Sequence, residues 1–387
     1  MSAMFMAGVT GTNGKTSVTQ WFAQAMTARG RKCAVIGTLG NGFPGALVVG
    51  PNTTPGAAVL KTLLPELAAQ GAQAYAMEVS SIGLHQNRVA DVRFNVAVFT
   101  NLTRDHLDYH GTMETYAAQK RKLFDMPGLA CAVLNLDDPF GEQLDAELAG
   151  HMRVIGYTLE GKVSRGETLA ARDLAATVTG IAFTLNGARM TAPLIGRFNA
   201  ANLLALTGAL LAAGETLADI AEALPKLTPP PGRMEAVGGR DVPLVVIDYA
   251  HTPDALEKAL VTLKEVAATR GGKLICVFGC GGNRDAGKRP LMGAVAERMS
   301  DGVLLTSDNP RAEEPAQIIA DIVGGMKRRP QIEADRALAI RRAVDAAAAC
   351  DVILLAGKGH EAYQETGGAR QPFSDLEQAR QALEQRR

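Results

Sequence analysis

Apolar and polar positions alternate along this sequence in two rhythms. Short runs of mostly valine, alanine, leucine and isoleucine have the length of buried strands, and segments with helical spacing separate them. One such segment, Val18–Arg29, stops at Gly30, a residue type that commonly follows a helix. Strands that alternate with helices predict a parallel sheet with crossover helices. In the first half of the chain the predicted strands are 33–38, 74–81, 96–102 and 131–136.

The rhythm changes between about 153 and 195. Threonine and valine alternate there, and the pair Asn186-Gly187 favours a two-residue hairpin turn. We therefore expect a small antiparallel hairpin insert in this region. Two helices are expected after it, at 200–213 and 216–225.

Three consecutive prolines, Pro229–Pro231, and Gly232 interrupt the pattern. Such a stretch does not fit inside a helix or a central strand, so we place a domain boundary and a hinge there. The predicted domains are 1–230 and 231–387. The alternation of strands and helices resumes in the second domain, with predicted strands at 243–250, 273–280, 302–308 and 351–357.

Composition and charge narrow the class of protein. Lysine plus arginine and aspartate plus glutamate number 40 each, so no global charge attracts nucleic acid or an anionic membrane. The longest apolar stretch, Leu203–Ala213, is too short to cross a bilayer. Five scattered cysteines indicate a reducing, cytoplasmic compartment, and Cys276 with Cys280 lacks the second pair that a zinc site requires. We expect a cytoplasmic monomer with no nucleic-acid or membrane partner.

The segment "GVTGTNGKTS" (8–17) carries the first candidate chemistry. It follows a short apolar run and precedes a predicted helix, so its N–H groups are placed to bind phosphate oxygens. Lys15 is positioned to contact the β- and γ-phosphates of a nucleotide, and the Thr16 hydroxyl to bind Mg²⁺. Val9 stands where the strict phosphate-loop pattern has its first glycine, which leaves a tight turn with a surface lysine as the alternative.

Polar side chains also follow two other predicted strands. Glu78 ends one of them, where a carboxylate can hold a metal; a solvated residue at the end of a strand is the alternative. The segment 100–111 places Asn101, Asp105, His106 and His110 after another strand. Histidines there are candidates for a metal ligand or a phosphate contact, although each such residue alone is more often a loop or capping residue.

Taken together and in order, these segments resemble the Mur ligases, the ATP-dependent amide-forming enzymes of peptidoglycan precursor synthesis. The resemblance is closest to the branch that adds the third amino acid to UDP-N-acetylmuramoyl-L-Ala-D-Glu. It covers nearly the whole chain and implies an α/β fold: a P-loop-type central ATPase domain with a mainly parallel sheet and an antiparallel insert, then a Rossmann-like C-terminal domain. The stretches that carry it are "GVTGTNGKTS", "NTTPG" (52–56), "MEVSSIGLHQNRV" (77–89), "FTNLTRDHLDYHG" (99–111), "TYAAQKRKLF" (115–124), "GRFNAAN" (196–202), "GRME" (232–235), "DYAHTPDALEKAL" (248–260), "FGCGGNRDAGKRPLMG" (278–293), "DNPRAEEP" (308–315) and "AGKGHE" (356–361).

The resemblance implies roles for individual residues. Lys15, Lys120, His106 and Glu78 would be catalytic, and Lys120 would be carbamylated; a solvent-facing lysine in "QKRK" is its alternative. The implied cofactors are ATP and Mg²⁺ at two sites, with His251 helping to close the site. The implied metal ligands are Thr16, Glu78, His106 and Lys120. The implied ATP-binding residues are Gly11, Thr12, Asn13, Gly14, Lys15, Thr16, Asn199, Asn202, Arg233 and Asp248.

The implied substrates are an acceptor peptide and meso-diaminopimelate. The segment "DNPR" goes with diaminopimelate in this branch, because the Arg311 guanidinium can grip the extra carboxylate that L-lysine lacks. A surface arginine at the start of a helix is the alternative for Arg311. The implied diaminopimelate-binding residues are Arg284, Asp308, Asn309, Pro310, Arg311, Gly357 and Glu361. The implied acceptor-binding residues are Thr53, Thr54, Ser80, Gln86 and Arg88.

Members of the family begin with a UDP-binding domain, and from the resemblance we expect this domain to be absent here. We favour a natural short form that uses a muramyl peptide or free peptide acceptor over a shortened chain. Two other classes stay open at this point. One is another ligase of the superfamily, of the cyanophycin or folylpolyglutamate type, against which "DNPR" and "GKGHE" argue. The other is a non-catalytic nucleotide-binding module that works with a partner, against which Lys15, Glu78, His106 and Lys120 argue.

Overall fold

The structure is a computed structural model that describes residues 4–176 and 180–386. The chain divides into two compact units. Unit one contains the residues up to Thr103 and His110–Thr228; unit two contains Arg104–Tyr109 and the residues from Pro229 onward.

A nine-stranded sheet forms the centre of unit one, as far as the described residues show. The strands lie in the order β4-β3-β2-β5-β1-β6-β7-β8-β9, and all neighbours are parallel except β2–β3 and β3–β4. The central strands are buried on both faces because helices cover them, which explains their continuous apolar sequence. The strands are β1 Phe5–Thr10, β2 Cys33–Gly37, β3 Gly40–Phe43, β4 Ala46–Val48, β5 Ala74–Glu78, β6 Val96–Phe99, β7 Cys131–Asn135, β8 Arg153–Thr158 and β9 Glu167–Ala170.

Two apolar clusters fill the space between this sheet and its helices. One contains Trp21, Phe22 and the leucines at 203, 204, 206 and 210 of the helix Arg197–Ala212, and the other contains Leu60, Leu67 and Leu144. The helices of unit one are α1 Lys15–Ala28, α2 Ala57–Ala69, α3 Ser81–His85, α5 Met113–Arg121, α6 Pro139–Leu148, α7 Arg197–Ala212 and α8 Leu217–Ala223. The short helix α4 Leu107–His110 lies between α3 and α5 in the chain, and its first three residues group with unit two.

The antiparallel insert is confirmed, but its predicted start was wrong. The strands β10 Arg172–Ala176, β11 Ile181–Leu185 and β12 Ala188–Ala192 form a separate antiparallel sheet. Asn186 and Gly187 form the predicted turn, both with positive φ. The segments of β8 and β9 instead extend the parallel sheet, because β8 is almost fully buried and pairs with β7. Residues 177–179 of the predicted insert lie outside the described residues.

Unit two contains a six-stranded sheet, counted over its described residues, in the order β13-β14-β18-β15-β16-β17. Only β13 is antiparallel to its neighbour. The carboxyl ends of the parallel strands therefore meet at one edge, where α/β sheets bind ligands. The strands, with the separate hairpin β19–β20, are β13 Glu235–Gly238, β14 Leu244–Asp248, β15 Leu274–Phe278, β16 Gly302–Leu305, β17 Gln331–Ile332, β18 Val352–Ala356, β19 Tyr363–Thr366 and β20 Ala369–Pro372. The helices are α9 Pro253–Arg270, α10 Lys288–Met299, α11 Pro315–Val323, α12 Arg336–Ala346 and α13 Asp375–Gln385.

The strands predicted from the apolar runs are confirmed in both units. In the part of the chain that the structure describes, no helix is both long enough and apolar enough to cross a membrane.

Candidate active site

The loop between β1 and α1 is held in an open turn above the sheet of unit one. The Thr12 N–H donates to the Asn101 carbonyl (2.8 Å), and the Asn13 N–H donates to the Asn101 side-chain oxygen (2.9 Å). The Thr100 hydroxyl donates to the Asn13 carbonyl at 2.6 Å. Residues at the end of β6 thus shape the loop, and the sequence analysis did not single out Thr100. Its position directly after the strand that neighbours β1 was the available signal.

Gly14 joins this loop to α1 and contacts a distant helix. Its φ is 87°, in the left-handed region, and a Cβ there would lie 2.4 Å from the Asn202 side-chain oxygen. Asn202 in turn donates to the Asn199 side-chain oxygen at 3.0 Å, and both asparagines are buried. Asn202 therefore lies at the loop itself. Because glycine supplies no capping side chain, the N-terminus of α1 presents its N–H groups at the loop.

Two lysines converge on one carbonyl of the loop. Lys15 Nζ donates to the carbonyls of Gly11 and Thr12, at 2.8 Å each. Lys120 Nζ donates to the same Gly11 carbonyl at 2.8 Å and lies 4.4 Å from the centre of the Tyr116 ring. Lys120 is only 1% exposed, so the alternative of a solvent-facing lysine is wrong. The burial brings its amine to the loop where a nucleotide phosphate would lie.

Thr16 and Glu78 supply neighbouring oxygen atoms beside the same loop. The Thr16 hydroxyl donates to Glu78 Oε2 at 2.9 Å, and the Thr38 N–H donates to Oε1 at 2.9 Å. Glu78 is 1% exposed, so the alternative of a solvated residue is wrong for it as well. A hydroxyl and a carboxylate are hard oxygen donors of the kind that Mg²⁺ prefers, and this ion commonly takes its other ligands from water and phosphate. The pair therefore fits a magnesium ion.

His106 belongs to the short segment that groups with unit two, and it lies 3.4 Å from the Asp105 carboxylate. Within the described residues, no group of three or more histidine, cysteine, aspartate or glutamate side chains is arranged to hold a metal. The structure thus brings together Thr16 and Glu78 among the predicted ligands, and Lys120 at the adjoining loop. His110, another candidate, is buried and pairs with the Ser81 hydroxyl at 3.0 Å.

The predicted acceptor-binding residues form a connected group at the carboxyl end of β5. The Thr54 hydroxyl donates to the Glu78 carbonyl (2.9 Å) and lies 3.0 Å from the Ser80 hydroxyl. Arg88 donates to the Thr54 carbonyl at 2.8 Å and to the Gln86 side-chain oxygen. The Thr53 hydroxyl lies 3.0 Å from that of Thr38, which also contacts Glu78. This group therefore borders the Thr16–Glu78 pair within unit one.

In unit two, the segment Asp308–Arg311 and the loop after β18 meet at the carboxyl edge of the sheet. The Asn309 amide donates to Glu361 Oε2 at 2.7 Å, and Gln364 donates to the Asp308 carbonyl at 2.7 Å. Gly357 has φ 111°, and a Cβ there would lie 2.5 Å from an Asp308 carboxylate oxygen. Two segments that lie about fifty residues apart in sequence thus contact each other at this edge of the sheet.

Arg311 takes an unusual backbone conformation in this site. Its φ is 54°, its N–H donates to the Glu365 carbonyl at 3.0 Å, and its guanidinium donates to the Gly282 carbonyl at 2.8 Å. Arg284 is the other arginine predicted to bind diaminopimelate. It lies two residues after Gly282, and its guanidinium donates to the Asn283 carbonyl at 3.5 Å. A positive φ is uncommon for a residue other than glycine, so the surrounding contacts must hold the Arg311 backbone in this conformation. The direction of its side chain is therefore fixed.

Lys358 is a residue that the sequence analysis missed. Its side chain is fully buried, and Nζ lies 3.1 Å from both Asn309 Oδ1 and Glu361 Oε2. The motif "GKGHE" contains it, but a lysine between two glycines reads equally well as a solvated loop residue. Only the fold shows that it points inward.

A fully buried ion pair lies behind these loops. Arg336 at the start of α12 binds the Asp375 carboxylate with two hydrogen bonds of 2.7 and 2.6 Å. Burial disfavours the charge of Arg336, but the Asp375 carboxylate outweighs it and raises the pKa of the guanidinium. The same guanidinium donates to the carbonyls of Ser307 and Ala356, which directly precede the two site loops.

Arg233 lies just before β13, and Asp248 is the last residue of the neighbouring strand β14. The Arg233 guanidinium lies 4.6 Å from the centre of the Tyr249 ring, and Asp248 accepts the Met234 N–H at 2.9 Å. Burial raises the pKa of the Asp248 carboxyl, against the opposing charge of Arg233. The His360 ring is also close to Tyr249, and burial lowers the pKa of His360 to about 4, with the charges of Arg233 and Lys358 adding to it.

His251 contacts Asp105 within unit two, at 3.5 Å from Nε2. Burial opposes ionisation of Asp105, but the hydrogen bond to His251 and the charges of His251, His106 and Lys288 outweigh it. Together they hold the pKa of the Asp105 carboxyl well below its usual range. Asp105 is thus an anchor for both histidines, and its spacing to His106 in the sequence was the only signal for it.

Two family models match the first and the second part of the chain separately. A family model described as "Mur ligase middle domain" matches residues 9–210, and one described as "Mur ligase, glutamate ligase domain" matches residues 232–359. The UDP-N-acetylmuramoyl-L-alanyl-D-glutamate–2,6-diaminopimelate ligase of Pseudomonas aeruginosa is 54% identical over 381 residues, which cover 98% of this chain and 77% of that protein. The protein of the same name from Chromobacterium violaceum is 52% identical over 384 residues, covering 98% of this chain and 77% of its own length.

Solved structures show the same likeness. A structure named for the same diaminopimelate ligase has 40% identity and a TM-score of 0.67, covering 99% of this chain and 78% of its own. A folylpolyglutamate synthase from Mycobacterium tuberculosis has a TM-score of 0.71 at 19% identity, covering 92% of this chain and 88% of its own. The second likeness shows the fold alone.

Proposed function

This chain belongs to the Mur ligase family, and we propose that it joins meso-diaminopimelate to the D-Glu carboxylate of an acceptor ending in L-Ala-D-Glu, at the expense of ATP. The relatives that are about half identical over nearly all of this chain carry the name of that reaction. The enzyme would act in peptidoglycan precursor synthesis.

The observation that carries the proposal is the joined pair of loops in unit two. Diaminopimelate has two ammonium and two carboxylate groups, so its site needs both an anion and a cation. Glu361 provides a carboxylate, fixed by the Asn309 amide at 2.7 Å. Arg311 provides a guanidinium on the segment that contains Asn309, with its backbone fixed by Glu365. L-Lysine lacks the second carboxylate and would leave the guanidinium without its partner.

Unit one supports the ATP-dependent half of the reaction. The N–H groups of the β1–α1 loop and Lys15 would bind the phosphates. Thr16 and Glu78 would hold Mg²⁺, and we include His106 as a further ligand from the family resemblance. Magnesium supplies charge neutralisation at the phosphates when bound. Lys120 would act as a carbamate, since addition of CO₂ turns its amine into an anion next to the loop and would support a second magnesium site.

The reaction proceeds in two steps, formation of an acyl-phosphate and its attack by the amine. The acceptor carboxylate attacks the γ-phosphorus of ATP, the bond from that phosphorus to the bridging oxygen breaks, and ADP leaves. The amine of diaminopimelate then attacks the acyl-phosphate carbon, loses a proton and expels inorganic phosphate. The chain contributes by fixing the reactants and stabilising charge. Arg88 and its neighbours Thr54 and Ser80 would orient the dipeptide end of the acceptor.

The test measures phosphate release and product mass with the purified full chain, ATP and Mg²⁺. The acceptors are UDP-N-acetylmuramoyl-L-Ala-D-Glu and the muramyl dipeptide, and the amino acids are meso-diaminopimelate and L-lysine. We expect release that depends on acceptor and diaminopimelate, with a product equal to their summed mass less one water. Equal use of L-lysine, or release that ignores both substrates, would contradict the proposal. Glu257→Ala, at a residue of unit two whose side chain is 45% exposed, is the control variant.

A further inference from the structure

We propose that Lys358 is a positioning residue, which holds the Glu361 carboxylate so that one of its oxygens faces an ammonium group of the incoming amino acid. The inference rests on the proposed function and extends it to a residue with no assigned role. The carrying observation is a triangle of three side chains, Lys358, Asn309 and Glu361, within unit two.

The geometry of the triangle places both donors on the same carboxylate oxygen. Glu361 Oε2 accepts from Asn309 Nδ2 at 2.7 Å and from Lys358 Nζ at 3.1 Å. Lys358 Nζ also donates to Asn309 Oδ1 at 3.1 Å, which fixes the amide the right way round for its own bond to Glu361. Among the described residues, no donor reaches the other carboxylate oxygen, Oε1. One oxygen is thus occupied by the protein and the second is left to bind a ligand.

Local structure explains why a charged side chain is tolerated in this place. Lys358 is fully buried, and a buried cation requires an anion and further hydrogen bonds nearby. The flanking residues Gly357 and Gly359 have φ of 111° and 53°, which turn the chain so that the lysine points into the fold. The Glu361 carboxylate, for its part, is 17% exposed and so reaches the edge of the site.

Removing the lysine would leave Glu361 tied by a single donor. The carboxylate could then rotate, and Oε1 would lose its fixed direction toward the ligand. Binding of the amino acid would weaken in the ground state and the transition state alike, which raises KM more than it lowers kcat. We expect little effect on ATP, because the β1–α1 loop and Lys15, which are proposed to bind its phosphates, belong to unit one.

The test is steady-state kinetics of Lys358→Met with phosphate release as the readout. We expect KM for diaminopimelate to rise at least tenfold, while kcat and KM for ATP change by less than about threefold. Lys327→Met, at an exposed lysine of the same unit, should behave as the unmutated protein does. If Lys358→Met does not fold, as judged by its circular dichroism, Lys358→Gln takes its place, with a smaller rise in KM.

A double-mutant cycle separates positioning from a general effect on the fold. Lys358 acts through Glu361 in this proposal, so Lys358→Met combined with Glu361→Gln should be no worse than Glu361→Gln alone, within about twofold. Multiplied losses in the double variant, or a fall in kcat without a rise in KM, would overturn the proposal. The amino acid titrated is the one that the unmutated chain joins. Absence of any amino-acid-dependent turnover in the unmutated chain would overturn the proposed function as well.

Discussion

Replacing Asp375 by alanine should destabilise unit two strongly. The carboxylate makes two hydrogen bonds of 2.6 and 2.7 Å to Arg336, and both side chains are fully buried. Truncation leaves a buried guanidinium whose remaining partners are the carbonyls of Ser307 and Ala356. Removing one partner of such a pair costs about 3–5 kcal/mol of folding free energy. For a unit of this size, each kcal/mol lowers the thermal unfolding midpoint by about 2–4 °C. The unfolding midpoint of unit two should therefore fall by roughly 6–20 °C.

The assay is thermal unfolding followed by circular dichroism, with tryptophan fluorescence recorded in parallel. The single tryptophan, Trp21, belongs to unit one, so loss of ellipticity without a change in fluorescence is assigned to unit two. The control is Glu257→Ala, which removes an exposed ion pair with Arg298 and should cost less than about 1 kcal/mol. The reasoning is refuted if Asp375→Ala is as mild as this control. Because Arg336 also binds the residues before both site loops, KM for the amino acid should rise in the same variant.

Three further predictions concern charged residues of the two units. Lys120→Ala should reduce ligation to near background and regain part of it with an added short carboxylic acid in place of the carbamate; an X-ray structure with ATP and bicarbonate that shows an unmodified amine would refute the modification. Arg311→Ala should lower kcat/KM for diaminopimelate about a hundredfold, or about 2.7 kcal/mol, with little change for L-lysine, and a uniform loss for both would count against the specificity argument. Asp105 stabilises the fold through its depressed pKa, so its contribution is present above the ordinary pKa of aspartate and is lost as the pH falls toward the folded value. The difference in thermal unfolding midpoint between the unmutated chain and Asp105→Asn should therefore be present near pH 5 and shrink below about pH 4, and a difference independent of pH would contradict this.

Much of the fold is readable from the sequence because the central strands are buried on both faces. The run Val96–Phe99 has all four residues buried, and a continuous apolar run with flanking polar residues identifies it. The segment Arg153–Thr158 was predicted as part of the insert, but it is a buried strand of the parallel sheet. Parallel pairing with β7 places this segment in the sheet. Pairing between strands cannot be seen in a single sequence.

The candidate site was predictable where a motif fixes local backbone shape. Thr16 follows Lys15 at the start of α1, so its contact with a strand-end carboxylate such as Glu78 could be expected. The burial of individual lysines could not be predicted, because Lys120 and Lys358 differ from exposed lysines only in the residues that pack around them. The partners of Lys358 lie three and 49 residues away in the chain, and the fold alone brings them together.

The contact between α1 and the last residue of unit one has a consequence for how this chain is made. Trp21 donates from its indole nitrogen to the Thr228 carbonyl at 3.0 Å, and Gly14 contacts the side chain of Asn202. A ribosome releases Trp21 long before it releases Thr228, which follows 207 residues later. During synthesis the loop can make its contacts with Thr100 and Asn101 early, but α1 lacks its bond to Thr228 until those 207 residues have emerged. Contacts of such long sequence separation form late and slow the folding reaction, so a messenger that pauses translation shortly after Thr228 leaves the tunnel would favour correct folding of the nucleotide loop.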